Sequence, residues 1–525
     1  MITIASLGMT IGSMQDLAPT FDERAHIPAG YSYVVERDYR LNPEHPPLLK
    51  YLSGLSIWTW SAVTGTEVIF DTSIPAWTEQ INGQWDMGTD FLFRDDNPRD
   101  ALIFWSRIPT VALFALLILY VGYASYHHTK SRLMAVLAML FTGFSPNIIA
   151  HARLVTTDVA ASLAFVLLAD WFVRFLIHRG WRQAVGLTAC IVYALLAKFS
   201  VVMLVPLFVT IWGVHTVGAY RKTLGSRVGK DLVFAGVGGV SVLVSISLVY
   251  WGLMSSMPVE EQRDIIGSVF YGDLAGVTQT GLLAMVNHPV LRYLGHFVTG
   301  VAMVIQRVGG GNNPFLLGEF AEESFLLYFP LTYLFKEPLS FLILLGASLG
   351  LGLLMLARFG WRKLGAVPLF WWVVGAMIAW YWVVSLTGDL NLGIRHILPV
   401  LPLTYMIVSA ALVRILIPMG ISRLVVVGLV MWYVLTPVIS YPFYISHLNA
   451  LVGGNEYGYQ VFTDSNIDWG QDLIRLNQWT EEQGIDRIYV DYFGAADPRE
   501  YLGDKAIPYW SEQGPKQGEW AAISV

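Results

Sequence analysis

Leu232–Met254 reads LVFAGVGGVSVLVSISLVYWGLM and holds no charged residue. A helix rises about 1.5 Å per residue and the hydrocarbon core of a bilayer is about 30 Å thick, so roughly 20 apolar residues cross it. This stretch is long enough, and inside lipid a single segment satisfies its own backbone only as a helix. Before it, the same test selects Ala101–Tyr126, Leu133–Ile149, Asp158–Ile177, Ala184–Phe199 and Val201–Tyr220. After it come Leu339–Ala357, Val367–Leu386, Ile397–Ile417 and Leu424–Ile445. Met1–Met14 is too short to cross, and it lacks the basic start and small-residue cleavage site of a signal peptide. It reads as the outer half of a first helix whose start is missing. The expectation is an all-α polytopic membrane protein with about 11 transmembrane helices.

Composition agrees. Of 525 residues 55% are hydrophobic and only 14% charged, against about 25% charged in soluble domains. The 19 Trp and 25 Tyr suit headgroup-level aromatic belts. The lone Cys190 lies in an apolar run, which rules out a disulfide or thiol pair within the chain and reads as packing. The formal charge of −6 is uneven: His447–Val525 carries 13 acidic and 5 basic residues, leaving about +2 for the rest. No basic nucleic-acid surface is in evidence.

Basic residues fall in alternate loops: Lys130 and Arg132; Arg179 and Arg182; Arg221, Lys222, Arg227 and Lys230; Arg358, Arg362 and Lys363; Arg414 and Arg423. Positive charge marks the cytoplasmic side. Loops 15–100 and 255–338 and the C-terminus are therefore expected to be extracytoplasmic, in what the bacterial look of the motifs quoted below implies is the inner (plasma) membrane. Leu48–Val63 and Gly281–Val308 read as amphipathic helices on the membrane surface. Residues 446–525 read as a small soluble α/β tail, with a helix-like Asp468–Gly484, a strand-like Arg487–Phe493 and a strand beginning at Ala521–Val525. The tail is expected to be incomplete and to cap an acceptor site. Gly309–Asn313 lacks the context and the Lys-Ser/Thr of a phosphate loop, and Gly346 with Gly350 reads as helix packing.

Ionisable groups gather at the outer ends of spans: Asp22, Glu23, Arg24 and His26; Glu44, His45 and Lys50; His151, Arg153 and Asp158; Lys198; Lys336 and Glu337; Arg395 and His396. At that depth such groups are costly unless paired or lining a wet cavity, which makes them functional candidates. Plainer roles compete: Lys and Arg snorkel to headgroups, and Asp158 can cap the helix it begins. Asp170 and Arg174, one turn apart at the inner end of a span, read as a structural pair.

D-E-R-A-H at 22–26, L-N-P-E-H-P-P-L at 41–48, T-T-D at 156–158 and R-H-I-L-P-V-L-P at 395–402 together resemble one family. It is the GT-C fold glycosyltransferases of the protein O-mannosyltransferase type (family 39), with bacterial relatives such as the lipid A aminoarabinose transferases. The resemblance spans roughly residues 15 to 445. The tail motif D-S-N-I-D-W-G-Q-D-L at 464–473 also looks like the end of bacterial members of unknown acceptor. The resemblance implies a GT-C fold, a sugar donor on a polyprenyl phosphate and an acceptor bound in an outer cavity. It also implies Asp22 as general base, with basic groups holding the lipid phosphate.

The residues can support that chemistry. An acceptor hydroxyl must lose a proton, which a carboxylate within hydrogen-bond reach can take. Neighbouring residues point about 100° apart on a helix and to opposite faces of a strand, so Asp22 and Glu23 do not both serve one hydroxyl. Asp22 is the expected base, with Glu23 holding a basic group or orienting the loop. Charge growing on the leaving phosphate needs fixed donors. The candidates are Lys50, Arg153, Lys198, Lys336 and Arg395, with His396 donating; His26, Glu44, His45 and Asp158 are expected to line the acceptor and sugar pocket. A phosphate leaves without an acid, so inversion by single displacement is expected, with no metal and no cofactor. The partners are then the donor lipid, the bilayer and a protein, lipid or glycan acceptor. The alternatives are a transporter or flippase for a lipid-linked or polar substrate, and a non-catalytic subunit whose tail recruits a partner.

Overall fold

The computed structural model describes residues 1–219, 224–272, 275–360, 365, 367–418, 422–514 and 517–525. Of the basic-loop residues, Arg221, Lys222, Arg362 and Lys363 lie outside these. Among the described residues, 7 helices are long and apolar enough to cross a membrane: Arg99–Thr129, Asp158–His178, Phe199–Gly218, Val228–Leu253, Leu339–Arg358, Leu369–Leu386 and Leu398–Leu416. Ile2–Met14, Trp181–Ala197 and Arg423–Ile439 are shorter apolar helices.

Two expected helices are broken. Leu133–Ile149 is not one straight span but Arg132–Gly143 and Pro146–Ala152, bent by 60°. Pro146 opens the second helix, where its missing N–H is harmless, and the Ser145 side chain accepts from Ile148 N. Gly281–Val308 is likewise two helices, Ala275–Val286 and Leu291–Gly310. Pro289 disfavours helix at the residue before it, and His288 Nδ1 accepts from the Val290 and Leu291 amides, capping the second piece.

Asp158–His178 is the central helix, 78% buried over its apolar window, whereas Val228–Leu253 is 6% buried and turns its valines and leucines outward. The central helix packs against Arg99–Thr129, Trp181–Ala197 and Leu369–Leu386. It is lined with small residues (Ala160, Ala161, Ser162, Ala164, Ala169), all buried, which let neighbours approach closely. Trp181–Ala197 runs back along it, so Lys198, just past its end, returns to the end where Asp158 begins.

Beside the bundle lie Phe21–Val35 and Leu48–Thr64, the latter ending at Gly65 in the left-handed region (φ 71°). The two helices meet on glycines. A Cβ on Gly30 would lie 1.9 Å from the Lys50 carbonyl oxygen, and one on Gly54 would lie 2.1 Å from that of Gly30. A third helix, Gln84–Phe93, presses Gly88 onto Arg24, where a Cβ would lie 1.9 Å from the carbonyl oxygen.

The C-terminal part holds helix Leu473–Glu482 and a three-stranded parallel sheet, with Ile488–Asp491 between Ala506–Pro508 and Ala521–Ile523. The fold is a mostly helical multi-pass membrane protein with a small α/β part at its C-terminal end.

Candidate active site

Thr20 starts the Phe21–Val35 helix, its backbone N–H donating to the Glu23 carboxylate at 2.9 Å. This capping interaction turns Glu23 inward and leaves Asp22 on the other face. Glu23 is fully buried and clasped by Arg107, Nε and Nη2 each donating at 2.8 Å, with Val155 N donating at 2.9 Å. Burial alone would raise its pKa, but the Arg107 charge and these hydrogen bonds win and hold it below the usual value. Every approach to this carboxylate is taken, so it orients the chain and is not available as a base.

Asp22 has the opposite setting. Its carboxylate is partly open and receives Arg395 Nη1 at 2.7 Å. Arg395 comes from the short 3-10 turn Ile394–His396, just before the span that begins at Leu398. Its Nε is buried without a hydrogen-bond partner among the described residues. Burial disfavours the guanidinium charge, but Asp22 and then Asp158 outweigh it and raise the pKa. A second ion pair adjoins the first: Lys198 Nζ donates to Asp158 at 2.6 Å.

Histidines complete the cluster. His26 Nδ1 lies 2.7 Å from the Val155 carbonyl oxygen; a carbonyl only accepts, so Nδ1 carries the proton. Burial, the largest influence, lowers the pKa of His26, and His45 is lowered further by burial, His26 and nearby Lys50. The two rings meet edge to face, 4.9 Å between centres. His45 Nδ1 and His151 Nδ1 are both buried without partners among the described residues. His396, pushed down to about 3 by burial, stacks toward Phe329 at 6.4 Å. Glu44 sits at the margin, accepting from the Gln84 amide at 2.7 Å and from Asn82 and Asn42. Buried polar atoms are nearly always paired, so the orphan nitrogens of Arg395, His45 and His151 mark a place prepared for polar ligands.

Three of the expected phosphate ligands donate to partners within the fold. Lys50 Nζ donates to the Asn42 and His45 carbonyls at 2.6 and 2.8 Å and to Asn42 Oδ1 at 2.9 Å, which uses all its hydrogens. It ties down the 42–45 turn. Arg153 is fully buried and donates to the Ser13 and Pro442 carbonyls at 3.0 and 2.8 Å. Lys336 is buried and donates to the Ile445 and Asn466 carbonyls at 2.6 and 2.5 Å. In each case a backbone segment, placed by the fold, reached the cation first.

Sequence reasoning did not assign Asp464, Asn466 and Trp469 to the site. Asn466 Oδ1 accepts from Ile394 N at 2.9 Å, and the buried Trp469 ring lies under Arg395, 4.2 Å from Cζ. Asp464 lies close enough that, although burial raises its pKa, Arg395 pulls the other way. The D-S-N-I-D-W-G-Q-D-L motif was the available signal. The tail segment is part of the site wall.

Among the described residues no group of His, Cys, Asp and Glu could hold a metal ion. The cluster can accept a proton from a hydroxyl at Asp22 and meet an anion at Arg395 and Lys198.

No protein-family model matches the chain, and no curated protein matches it in sequence. Solved structures similar to it include two of ArnT. The crystal structure of ArnT from Cupriavidus metallidurans bound to undecaprenyl phosphate has a TM-score of 0.48 and 14% identity, covering 92% of this chain and 72% of that one. ArnT from the same organism in the apo state has a TM-score of 0.47 and 12% identity, covering 95% and 83%.

Proposed function

We propose that this protein is a membrane glycosyltransferase of the GT-C type. It moves a sugar from a polyprenyl-phosphate donor to an acceptor hydroxyl on the non-cytoplasmic face, with inversion and with Asp22 as general base. One observation carries the proposal: a partly open carboxylate touches an arginine with an unused buried N–H, beside a lysine–aspartate pair, at the end of the spans. Such a site places a base and an anion receiver within one ion pair of each other.

In the reaction the acceptor oxygen attacks the anomeric carbon from the face opposite the phosphate. The new C–O bond forms as the bond to the phosphate oxygen breaks, and Asp22 takes the hydroxyl proton. The phosphate leaves with the electron pair, and its growing charge meets the guanidinium of Arg395 and the ammonium of Lys198, donors that stabilise it most when already fixed in place. Arg395 spans both partners: its Nη1 pairs with the Asp22 carboxylate before the reaction and its Nε edge is free for phosphate oxygens. His26 and His45, kept neutral by burial, offer ring nitrogens to sugar or acceptor hydroxyls without adding charge. The donor chain reaches this place from the bilayer beside the spans.

The test is transfer of label from a panel of polyprenyl-phosphate sugars to membrane acceptors by purified protein. Wild type is expected to transfer label from one donor. Asp22→Asn should lower the rate at least about 100-fold and leave expression and melting unchanged. Full activity of Asp22→Asn would remove the base assignment. Movement of a lipid-linked sugar across vesicles with no glycosidic bond made would replace the enzyme by a transporter.

A further inference from the structure

The Asp22–Arg395 pair joins segments far apart in the chain, and Trp469 contacts Arg395 and the residue before Asp22. Its backbone carbonyl accepts from Phe21 N at 3.1 Å, fixing the residue before Asp22. Its indole ring lies beneath the other partner, the ring centre 4.2 Å from Arg395 Cζ. Around it the tail is anchored in the bundle. Asn466 Oδ1 accepts from Ile394 N at 2.9 Å, and Asn466 Nδ2 donates to the Tyr328 hydroxyl at 3.1 Å. Gln471 O accepts from Ala18 N at 3.0 Å.

We infer that Trp469 is a positioning residue for the transfer reaction: its ring sets the plane of the Arg395 guanidinium, so that Nη1 meets Asp22 while the Nε edge faces the donor phosphate. The inference rests on the function proposed above and assigns a role to the C-terminal tail within it. An arginine held by a single hydrogen bond at Nη1 can still turn about that bond. A ring against its flat face removes that freedom, since guanidinium and indole planes stack and attract through the ring's electron-rich face. The constraint matters most as the phosphate gathers charge, because donors fixed in advance need no reorganisation at that moment. Leucine at 469 would keep the backbone tether to Phe21 and much of the apolar bulk and remove only the face.

The experiment compares wild type, Trp469→Leu, Trp469→Phe and Arg395→Ala in the transfer assay, with thermal melting of each. The expected result for Trp469→Leu is a kcat about tenfold lower with donor KM changed by less than about threefold. Trp469→Phe, which restores an aromatic face, should recover most of the loss. Arg395→Ala should fall below Trp469→Leu. Loss confined to donor KM, equal impairment by Phe and Leu, or wild-type turnover in Trp469→Leu would each overturn the positioning role and leave the glycosyltransferase standing. Absence of transfer by the folded wild type with every donor would overturn both.

Discussion

Asp22 and Glu23 are covalent neighbours with opposite fates. Glu23 is sealed beneath Arg107 with no exposed surface, and Asp22 keeps an open side beside Arg395. Because the buried pair is so fully desolvated, removing one partner leaves an uncompensated charge. Arg107→Ala is expected to cost about 3–5 kcal/mol of stability, seen as a large drop in melting temperature of the detergent-solubilised protein. A cost below about 1 kcal/mol would mean that Glu23 finds another partner or takes up a proton. The division of labour was half legible beforehand: adjacency showed that both carboxylates do not serve one hydroxyl. The partner of Glu23 was hidden, because nothing in sequence shows which carboxylate Arg107 faces from inside its span. The partners of Lys50 were hidden for a related reason, since nothing in sequence shows the 42–45 turn curling back to take its hydrogens.

Among elements, the contact between Phe21–Val35 and Leu48–Thr64 decides where the site stands. The backbones approach so closely that neither Gly30 nor Gly54 tolerates a Cβ without movement of the other helix. Gly54→Ala is therefore expected to force the helices apart, at a cost of about 1–3 kcal/mol from overpacking, and to reduce transfer further by shifting Asp22 from Arg395. Gly65→Ala, in open space though at positive φ, should show a stability loss without that extra loss of turnover, so melting and activity measured together separate the two effects. The long spans were readable because charge-free runs announce themselves. The 60° break after Gly143 was not, although Ser145-Pro146 is an ordinary helix start: the apolar count on either side is the same with or without a bend. The glycine seam was equally silent, because nothing in sequence shows that Gly30 and Gly54 face each other.

At the scale of the molecule, the junction between bundle and tail carries two buried charges side by side. Lys336 is drawn down to about 7 by burial, and Glu337 is raised to about 7 by burial against the hydrogen bonds from Asn147 and Tyr405. Between about pH 4.5 and 7 the unfolded chain releases the Glu337 proton and the fold retains it, so stability should fall as pH rises, by up to about 3 kcal/mol. Between about 7 and 10.5 the unfolded chain holds the Lys336 proton that the fold has lost, so stability should climb again. Melting temperature against pH should therefore pass through a minimum near 7, and Glu337→Gln should flatten only the acid limb. A wild-type profile with its maximum near 7 would refute this assignment. The tail's helix and two of its three strands were legible, whereas Ala506–Pro508 was not. Its place was not, because an acidic, tryptophan-bearing segment after the last span looks like a separate cap until Asn466 and Trp469 are found holding the residues on either side of the ion pair.

That ion pair has a consequence in time. Asp22 and Arg395 are 373 positions apart. At about 5–20 residues added per second during synthesis, roughly 20 to 75 s pass between the emergence of the carboxylate and that of its guanidinium, and Trp469 follows later still. Through that interval the ribosome-bound chain carries a base without its arginine partner, so the chemistry proposed for this membrane face begins only when synthesis has passed the last span.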